Sequence, residues 1–148
     1  GLHWKKLLLK FRKRFHAVCN CSCSFCSMCN HGNFDYWVVK LTSTGGITWQ
    51  KSLGGSADEE NIEDGGTGQL VQTPDGGYIV SGFSKSNDGD VTGNHGNSDC
   101  WVVKLNSSGI IEWKKSLGGS LDEGYYSRII QTADGGYCLV TKTSSPTN

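Results

Sequence analysis

DYWVVKLTSTGGITWQKSLGGS occupies residues 35–56, and DCWVVKLNSSGIIEWKKSLGGS occupies residues 99–120. When residues 35–60 are aligned with residues 99–124, 18 of the 26 positions are identical. The match resumes at QTPDGGY (72–78), which the second copy repeats with a single substitution. Self-similarity of this kind at a nearly fixed period predicts a repeat architecture.

Each unit is predicted to contain four short β-strands, because runs rich in Val, Ile, Trp and Tyr alternate with turn residues. In the first unit the strands are Tyr36–Leu41, Ile47–Leu53, Gln69–Thr73 and Tyr78–Phe83. PDGG (74–77) predicts a tight hairpin, since Asp-Gly and Gly-Gly accept the positive φ that such turns need. The chain divides into a non-repeat basic and Cys-rich segment (1–29), a first unit with its leading loop (30–98) and a shortened second unit (99–148).

Both faces of the first strand are apolar. Trp37, Val39 and Leu41 share one face, and Tyr36 and Val38 share the other. A sheet of this kind must be covered on both sides, which stacking against further copies of itself would achieve. We therefore predict an all-β fold of four-stranded antiparallel sheets, packed as β-propeller-like blades. An open β-solenoid and a two-sheet sandwich are the alternatives.

Fewer than two full units cannot close a ring of blades. The second unit ends after its fourth strand, which predicts a fragment of a longer, incomplete array. Such a fragment would leave sheet edges and apolar faces open and would self-associate or be poorly stable.

The motifs DYWVVKL, SLGGS, DGGY and SNDGDVTGNHG resemble the repeats of large secreted bacterial surface proteins that carry β-propeller repeats, many of them sorted by type IX secretion. The resemblance covers residues 30–148. It implies a secreted or cell-surface, non-enzymatic repeat region that serves as a scaffold, in adhesion or in binding a glycan or protein ligand, and that packs against further repeat units. The resemblance supplies no catalytic residue. The alternative is a fragment of a glycan-processing propeller enzyme whose catalytic residues lie outside this chain.

The distribution of charge argues against nucleic acid as a partner. Residues 1–34 hold six basic and no acidic residues, whereas residues 35–148 hold eight basic and fourteen acidic ones. An acidic body has no electrostatic affinity for nucleic acid. No apolar stretch approaches the roughly 18 residues that a membrane-spanning helix needs.

The first 29 residues do not follow the repeat. Repeat identity begins at NHGN (30–33), which matches NHGN at 94–97, so the preceding segment is either a natural junction or the product of a shifted reading frame. Trp4, Leu8 and Phe11 recur at helical spacing among basic residues. This pattern predicts a basic amphipathic helix and weak membrane contact by residues 1–18.

Cysteines suggest a metal site in the same segment. Cys19, Cys21, Cys23, Cys26 and Cys29 lie close together, with His31 near them. Thiolates at these separations could share one Zn²⁺, although a structural zinc site normally takes ligand pairs from separated turns. The two other cysteines, Cys100 and Cys138, replace large strand residues of the first unit and are predicted to be small buried side chains.

One loop has the spacing of a calcium site. Its candidate ligands are Asp88, Asp90, Thr92, Asn94 and Asp99. Alternate oxygens, a glycine at the sixth place and a carboxylate at the twelfth are typical of a calcium loop, but Asp replaces the usual Glu and no helices flank it. A solvated turn is the alternative, and no other cofactor is predicted.

A run of acids follows the second strand. Its members are Asp58, Glu59, Glu60, Glu63 and Asp64. Paired carboxylates could serve glycoside hydrolysis, but the second copy keeps the first two acids as Asp122 and Glu123, and catalytic pairs are usually unique within a fold. We therefore interpret the run as a solvated loop and predict no catalytic residue.

Overall fold

The computed structural model describes residues 7–10, 31–32, 34–59 and 68–146. Across these residues the chain is all-β and contains no helix, so none is present that could cross a membrane. Its strands are β1 (Leu7–Lys10), β2 (Tyr36–Leu41), β3 (Ile47–Leu53), β4 (Gln69–Gln72), β5 (Tyr78–Ser84), β6 (Asp99–Leu105), β7 (Ile111–Leu117), β8 (Glu123–Gln131) and β9 (Tyr137–Thr143). The bounds of β2 to β5 agree with the sequence prediction to within one residue.

The strands form three antiparallel sheets. The first sheet has the order β1-β2-β3, the central sheet β4-β5-β6-β7 and the last sheet β8-β9. The central sheet is therefore not built from one sequence unit, because it joins the third and fourth strands of the first unit to the first two strands of the second. Consecutive units are tied together by this shared sheet, in which β5 pairs with β6 along seven residues.

The turns within the hairpins follow the sequence prediction. Gly45, Gly76, Gly109 and Gly135 occupy equivalent places in the four turns and have φ between 80° and 88°. Other residues rarely adopt this left-handed conformation, so the glycines fix where each hairpin reverses.

One face of the central sheet packs against the first sheet. Trp101, Val103 and Leu105 of β6 meet Tyr36 and Val38 of β2 in a buried cluster. The rings of Tyr36 and Trp101 stack with their centroids 6.4 Å apart. In the repeat, Trp101, Val103 and Leu105 correspond to one face of β2, and Tyr36 and Val38 lie on its other face. Neighbouring sheets therefore contact each other through opposite faces.

The opposite face of the central sheet packs against the last sheet. Ile79, Cys100 and Val102 form a second buried cluster with Ile129 of β8. Every residue of β5 and β6 is buried. The prediction of strands that are apolar on both faces and covered on both sides is therefore confirmed for β5 and β6, whereas β7 at the edge of the same sheet is largely exposed.

Strand β1 corrects the prediction of an amphipathic helix for part of the chain's start. Leu7–Lys10 pair antiparallel with β2, with Leu8 opposite Val39, and do not form a helix. The remainder of residues 1–18 and the cysteine cluster at 19–29 lie outside the described residues, so the membrane and zinc hypotheses stay predictions.

Candidate functional site

A buried pair of carboxyl groups lies where β3 ends. A side-chain carbon placed on Gly54 would lie within 2.5 Å of both Asp35 Oδ1 and Glu59 Oε2, so the two carboxyl groups face each other across this glycine. Asp35 Oδ2 accepts hydrogen bonds from His31 N–H at 2.8 Å and from the Ser52 hydroxyl at 3.0 Å. Asp35 Oδ1 is buried and has no hydrogen-bond partner among the described residues.

Glu59 is the other carboxyl group of this pair, which together with Gly54 forms the Asp35–Glu59 corner. Its Oε2 accepts a hydrogen bond from Gly55 N–H at 3.1 Å, and its Oε1 accepts one from the Ser84 hydroxyl at 2.7 Å. Since Ser84 ends β5, Glu59 connects the end of β3 in the first sheet to the central sheet. Glu59 is therefore a hydrogen-bonded contact between the first sheet and the central sheet.

The second unit repeats the arrangement with Asp99 and Glu123. A side-chain carbon on Gly118 would lie 2.5 Å from Glu123 Oε2 and 2.6 Å from Asp99 Oδ1. Asp99 Oδ1 likewise has no partner among the described residues, and Asp99 Oδ2 accepts hydrogen bonds from His95 N–H and from the His95 ring nitrogen Nδ1. The corner is thus a recurring structural feature of both units.

The pKa values of the two glutamates are shifted in opposite directions. Burial raises the pKa of Glu59 from 4.5 to about 7, and the neighbouring Asp35 carboxylate adds to this rise. Burial also favours the neutral form of Glu123, but hydrogen bonds from Ser145, Gly119 and Thr143 outweigh it and lower the pKa to about 2.

Glu123 in the second unit accepts one more backbone hydrogen bond than Glu59 in the first. Ser145 N–H donates to Glu123 Oε1 at 3.0 Å, whereas the equivalent Ser86 N–H donates to the Ser84 hydroxyl. The charged form of Glu59 therefore lacks a backbone donor that stabilises the charged form of Glu123.

The interpretation of the acidic run as a solvated loop is wrong for Glu59 and Glu123, which are 0% and 3% exposed. Glu60, Glu63 and Asp64 lie outside the described residues. A signal for the buried glutamates is present in the sequence, because both copies keep an aspartate before the first strand, two glycines after the second strand and Asp-Glu shortly after these glycines. Both glutamates lie inside a hydrogen-bonded corner that recurs in the two units.

The candidate calcium ligands bond to different parts of the chain. Asp88 Oδ1 accepts a hydrogen bond from Ser56 N–H at 2.7 Å. The Asn94 side-chain amide donates to the Ser84 carbonyl at 3.1 Å. Asp99 lies in the corner described above, the Thr92 carbonyl accepts from the Ser116 hydroxyl, and the Asp90 N–H donates to the Gly54 carbonyl. Among the described residues no group of three or more His, Cys, Asp or Glu side chains is arranged to hold a metal ion.

A calcium titration tests the remaining hypothesis that this loop binds Ca²⁺. If the five residues are ligands, millimolar Ca²⁺ raises the melting temperature of the chain, and Asp88→Asn abolishes the rise. A melt that is the same with and without Ca²⁺, together with no heat of binding in calorimetry, contradicts the site.

The last sheet exposes an apolar face. Ile130 and Val140 are 60% and 66% exposed, and Cys138 is exposed as well. The repeat equivalents of Ile130 and Cys138 are Val71 and Ile79, which the last sheet covers. The prediction of a buried Cys138 is thus wrong because no further sheet covers this face among the described residues, whereas the same prediction is confirmed for Cys100.

Two open grooves lie beside the hairpin turns. One, of about 640 Å³, is lined by residues that include Trp49, Ile47 and Ile110. Trp49 Nε1 donates to the Ser107 carbonyl at 3.0 Å, which fixes the indole ring against the turn of the next unit. The other groove, of about 850 Å³, lies between β4 and β8. These grooves combine apolar and polar groups at the edges of the stacked sheets.

Comparison of the chain with models of known protein families and with curated protein sequences gives no match.

Proposed function

We propose that this chain is a non-catalytic repeat segment of a secreted or cell-surface protein, in which β-propeller-like sheets serve as a scaffold. The observation that carries the proposal is the central sheet, which combines strands of two consecutive units and whose two middle strands, β5 and β6, are buried on both faces. A unit built in this way needs neighbours on both sides, so its structural role is to extend an array. The resemblance of the repeat motifs to those of secreted surface proteins supports the extracellular location.

The loops and grooves at the sheet edges are the places where such a scaffold would contact a glycan or protein ligand. Loops on a rigid scaffold commonly carry binding function. The groove beside Trp49 offers an aromatic side chain and the exposed Ile47 and Ile110. Adhesion or ligand binding would then vary with the loop residues while the sheets keep the same packing.

Extension of the chain by one unit tests the scaffold function. Ser145 is the repeat equivalent of Ser86, so the chain can be continued from Ser145 by a second copy of residues 87–146. We expect the extended chain to have a higher melting temperature and one cooperative transition, because β9 gains a pairing strand and the face around Val140 becomes covered. With Cys138→Ser in the added copy only, labelling of the original Cys138, followed by peptide mass analysis, should fall as this face is covered.

A matched control carries Trp101→Ala in the added copy only. This change removes the side chain that would pack the new strands against the central sheet, so it should cancel most of the gain in melting temperature. If the extension leaves both the melting temperature and the labelling of Cys138 unchanged, the units do not stack in the proposed way.

A further inference from the structure

The outer edge of β9 has the form of a strand-binding site. The strand at the equivalent place in the first unit is β5, which pairs with β6 from Tyr78 opposite Leu105 to Ser84 opposite Asp99. In β9 the same positions run from Tyr137 to Thr143, but among the described residues no strand pairs with the outer edge. In an antiparallel strand every second residue directs its backbone N–H and C=O to the same neighbour, so Tyr137, Leu139, Thr141 and Thr143 would bond to a strand on this edge in the way that Tyr78, Val80, Gly82 and Ser84 bond to β6.

Strand β2 carries the sequence that this edge fits. It reads YWVVKL after Asp35, and β6 reads CWVVKL after Asp99. The edge of β2 that corresponds to the paired edge of β6 is held by β1, in the same register, since Leu8 lies opposite Val39 as Val80 lies opposite Val103. However, β1 pairs through four residues, whereas β5 pairs through seven.

Charges at the two edges are complementary. In the central sheet the Lys104 ammonium donates to Asp75 in the β4–β5 turn at 2.8 Å. The repeat equivalents of these residues are Lys40 and Asp134. Hydrogen bonds from the Thr132 hydroxyl and from Gly136 N–H lower the pKa of Asp134 and hold its carboxylate in the orientation that Asp75 adopts. No ion pair of Asp134 occurs among the described residues.

The backbone of β9 also leaves space for an approaching strand. At Gly77, the first residue before β5, a side-chain carbon would overlap the Leu105 carbonyl and the Lys104 ammonium, so strand pairing requires a glycine there. Gly136 occupies the same position before β9. The nearest atoms to a side-chain carbon at Gly136 belong to its own turn, to Thr132 and Asp134, and lie at 3.1 Å or more.

We propose that two copies of this chain join by strand exchange, in which β9 of one copy replaces β1 on β2 of the other. The register is that of β5 and β6, with Tyr137 opposite Leu41, Thr143 opposite Asp35, and Asp134 paired with Lys40. The resulting sheet, β8-β9-β2-β3, has the order of the central sheet. The proposal rests on the scaffold function, and because each copy has one edge of each kind, the contact is head-to-tail and joins copies into chains or closed rings.

Charge reversal in the full-length chain tests this pairing. We expect the wild-type chain to associate with increasing concentration in sedimentation velocity, and Lys40→Glu or Asp134→Lys alone to weaken association about tenfold or more, because like charges then face each other. Mixing the two variants should restore association, since the acid introduced at position 40 of one variant then meets the base introduced at position 134 of the other. Lys85→Glu changes the same charge at an exposed position away from both edges and should have little effect.

Several results would overturn the proposal: a wild-type chain that stays monomeric, single variants that associate like the wild type, or a mixture that associates no better than either variant. The near-ultraviolet circular dichroism of the tryptophans shows whether each variant keeps its fold. A chain stabilised by the added unit but without intermolecular association would refute strand exchange and leave the scaffold function intact. An added unit that gives no stabilisation would refute the scaffold function itself.

Discussion

Replacing Trp101 by alanine is expected to lower the free energy of unfolding by about 3–5 kcal/mol, the range typical of a buried tryptophan. The side chain is 1% exposed and lies between the first and central sheets. It also stacks on Tyr36, and aromatic pairs of this kind contribute beyond their buried area. Since small domains have about 5–15 kcal/mol of stability in all, we expect a large fall in the urea midpoint.

Two further variants show whether the fall in stability comes from lost packing between the sheets or would follow from replacing any tryptophan. Trp113 is 40% exposed and meets Tyr137 edge-on, so Trp113→Ala should have a much smaller effect. Trp101→Phe keeps most of the ring contact and removes the buried Nε1–H, which has no hydrogen-bond partner among the described residues. If Trp101→Ala and Trp113→Ala shift the midpoint equally, the stacking of the two sheets does not carry the stability.

The alternation of apolar residues was sufficient to predict the strands and the burial of both faces. Trp37 and Tyr36 point to opposite sides of one strand, and both positions recur 64 residues later in β6. Which strands share a sheet could not be predicted in the same way. The link from β3 to β4 (54–68) and the link from β5 to β6 (85–98) are of similar length, so length does not show which link passes to another sheet and which stays within one.

Composition gave the wrong expectation for Glu59. A run of acidic residues between glycines is usually solvated, and a charged carboxyl group is seldom buried without a partner. Here the burial depends on donors that come together only in the folded chain, namely Gly55 N–H and the Ser84 hydroxyl, which is 25 residues away along the chain. The repeated Gly-Gly and Asp-Glu positions single out this glutamate, but their spacing does not show that the Ser84 hydroxyl reaches it.

Glu59 is expected to make the chain less stable as the pH rises from about 4.5 to about 7. Burial raises the pKa of Glu59 to about 7 in the folded chain, from 4.5. Between these values the folded state keeps a proton that the unfolded state has released, so each rise in pH favours unfolding. At roughly 1.4 kcal/mol for each pH unit of difference, the loss is about 3 kcal/mol above pH 7, and it is absent below about pH 4.5.

Glu59→Gln removes this titration while keeping the shape of the side chain. Its amide oxygen can still accept from Ser84, and its NH2 group then takes the place of Oε2, where it can donate to Asp35 Oδ1 but no longer accepts from Gly55 N–H. We therefore expect the difference in unfolding free energy between variant and wild type to move in favour of the variant as the pH rises from about 5 to about 8, across the window set by the Glu59 pKa. Urea unfolding at a series of pH values measures this difference.

Glu123→Gln is the control that the second unit provides, and its effect has the opposite sign. Hydrogen bonds lower the pKa of Glu123 from 4.5 to about 2, so its charged form stabilises the folded chain above pH 4.5 and this contribution is lost as the pH falls toward 2. The Glu123 variant should thus lose stability relative to the wild type near neutral pH and approach it in acid. Parallel pH profiles for wild type and Glu59→Gln would show that the Asp35–Glu59 corner does not hold a proton in the folded chain.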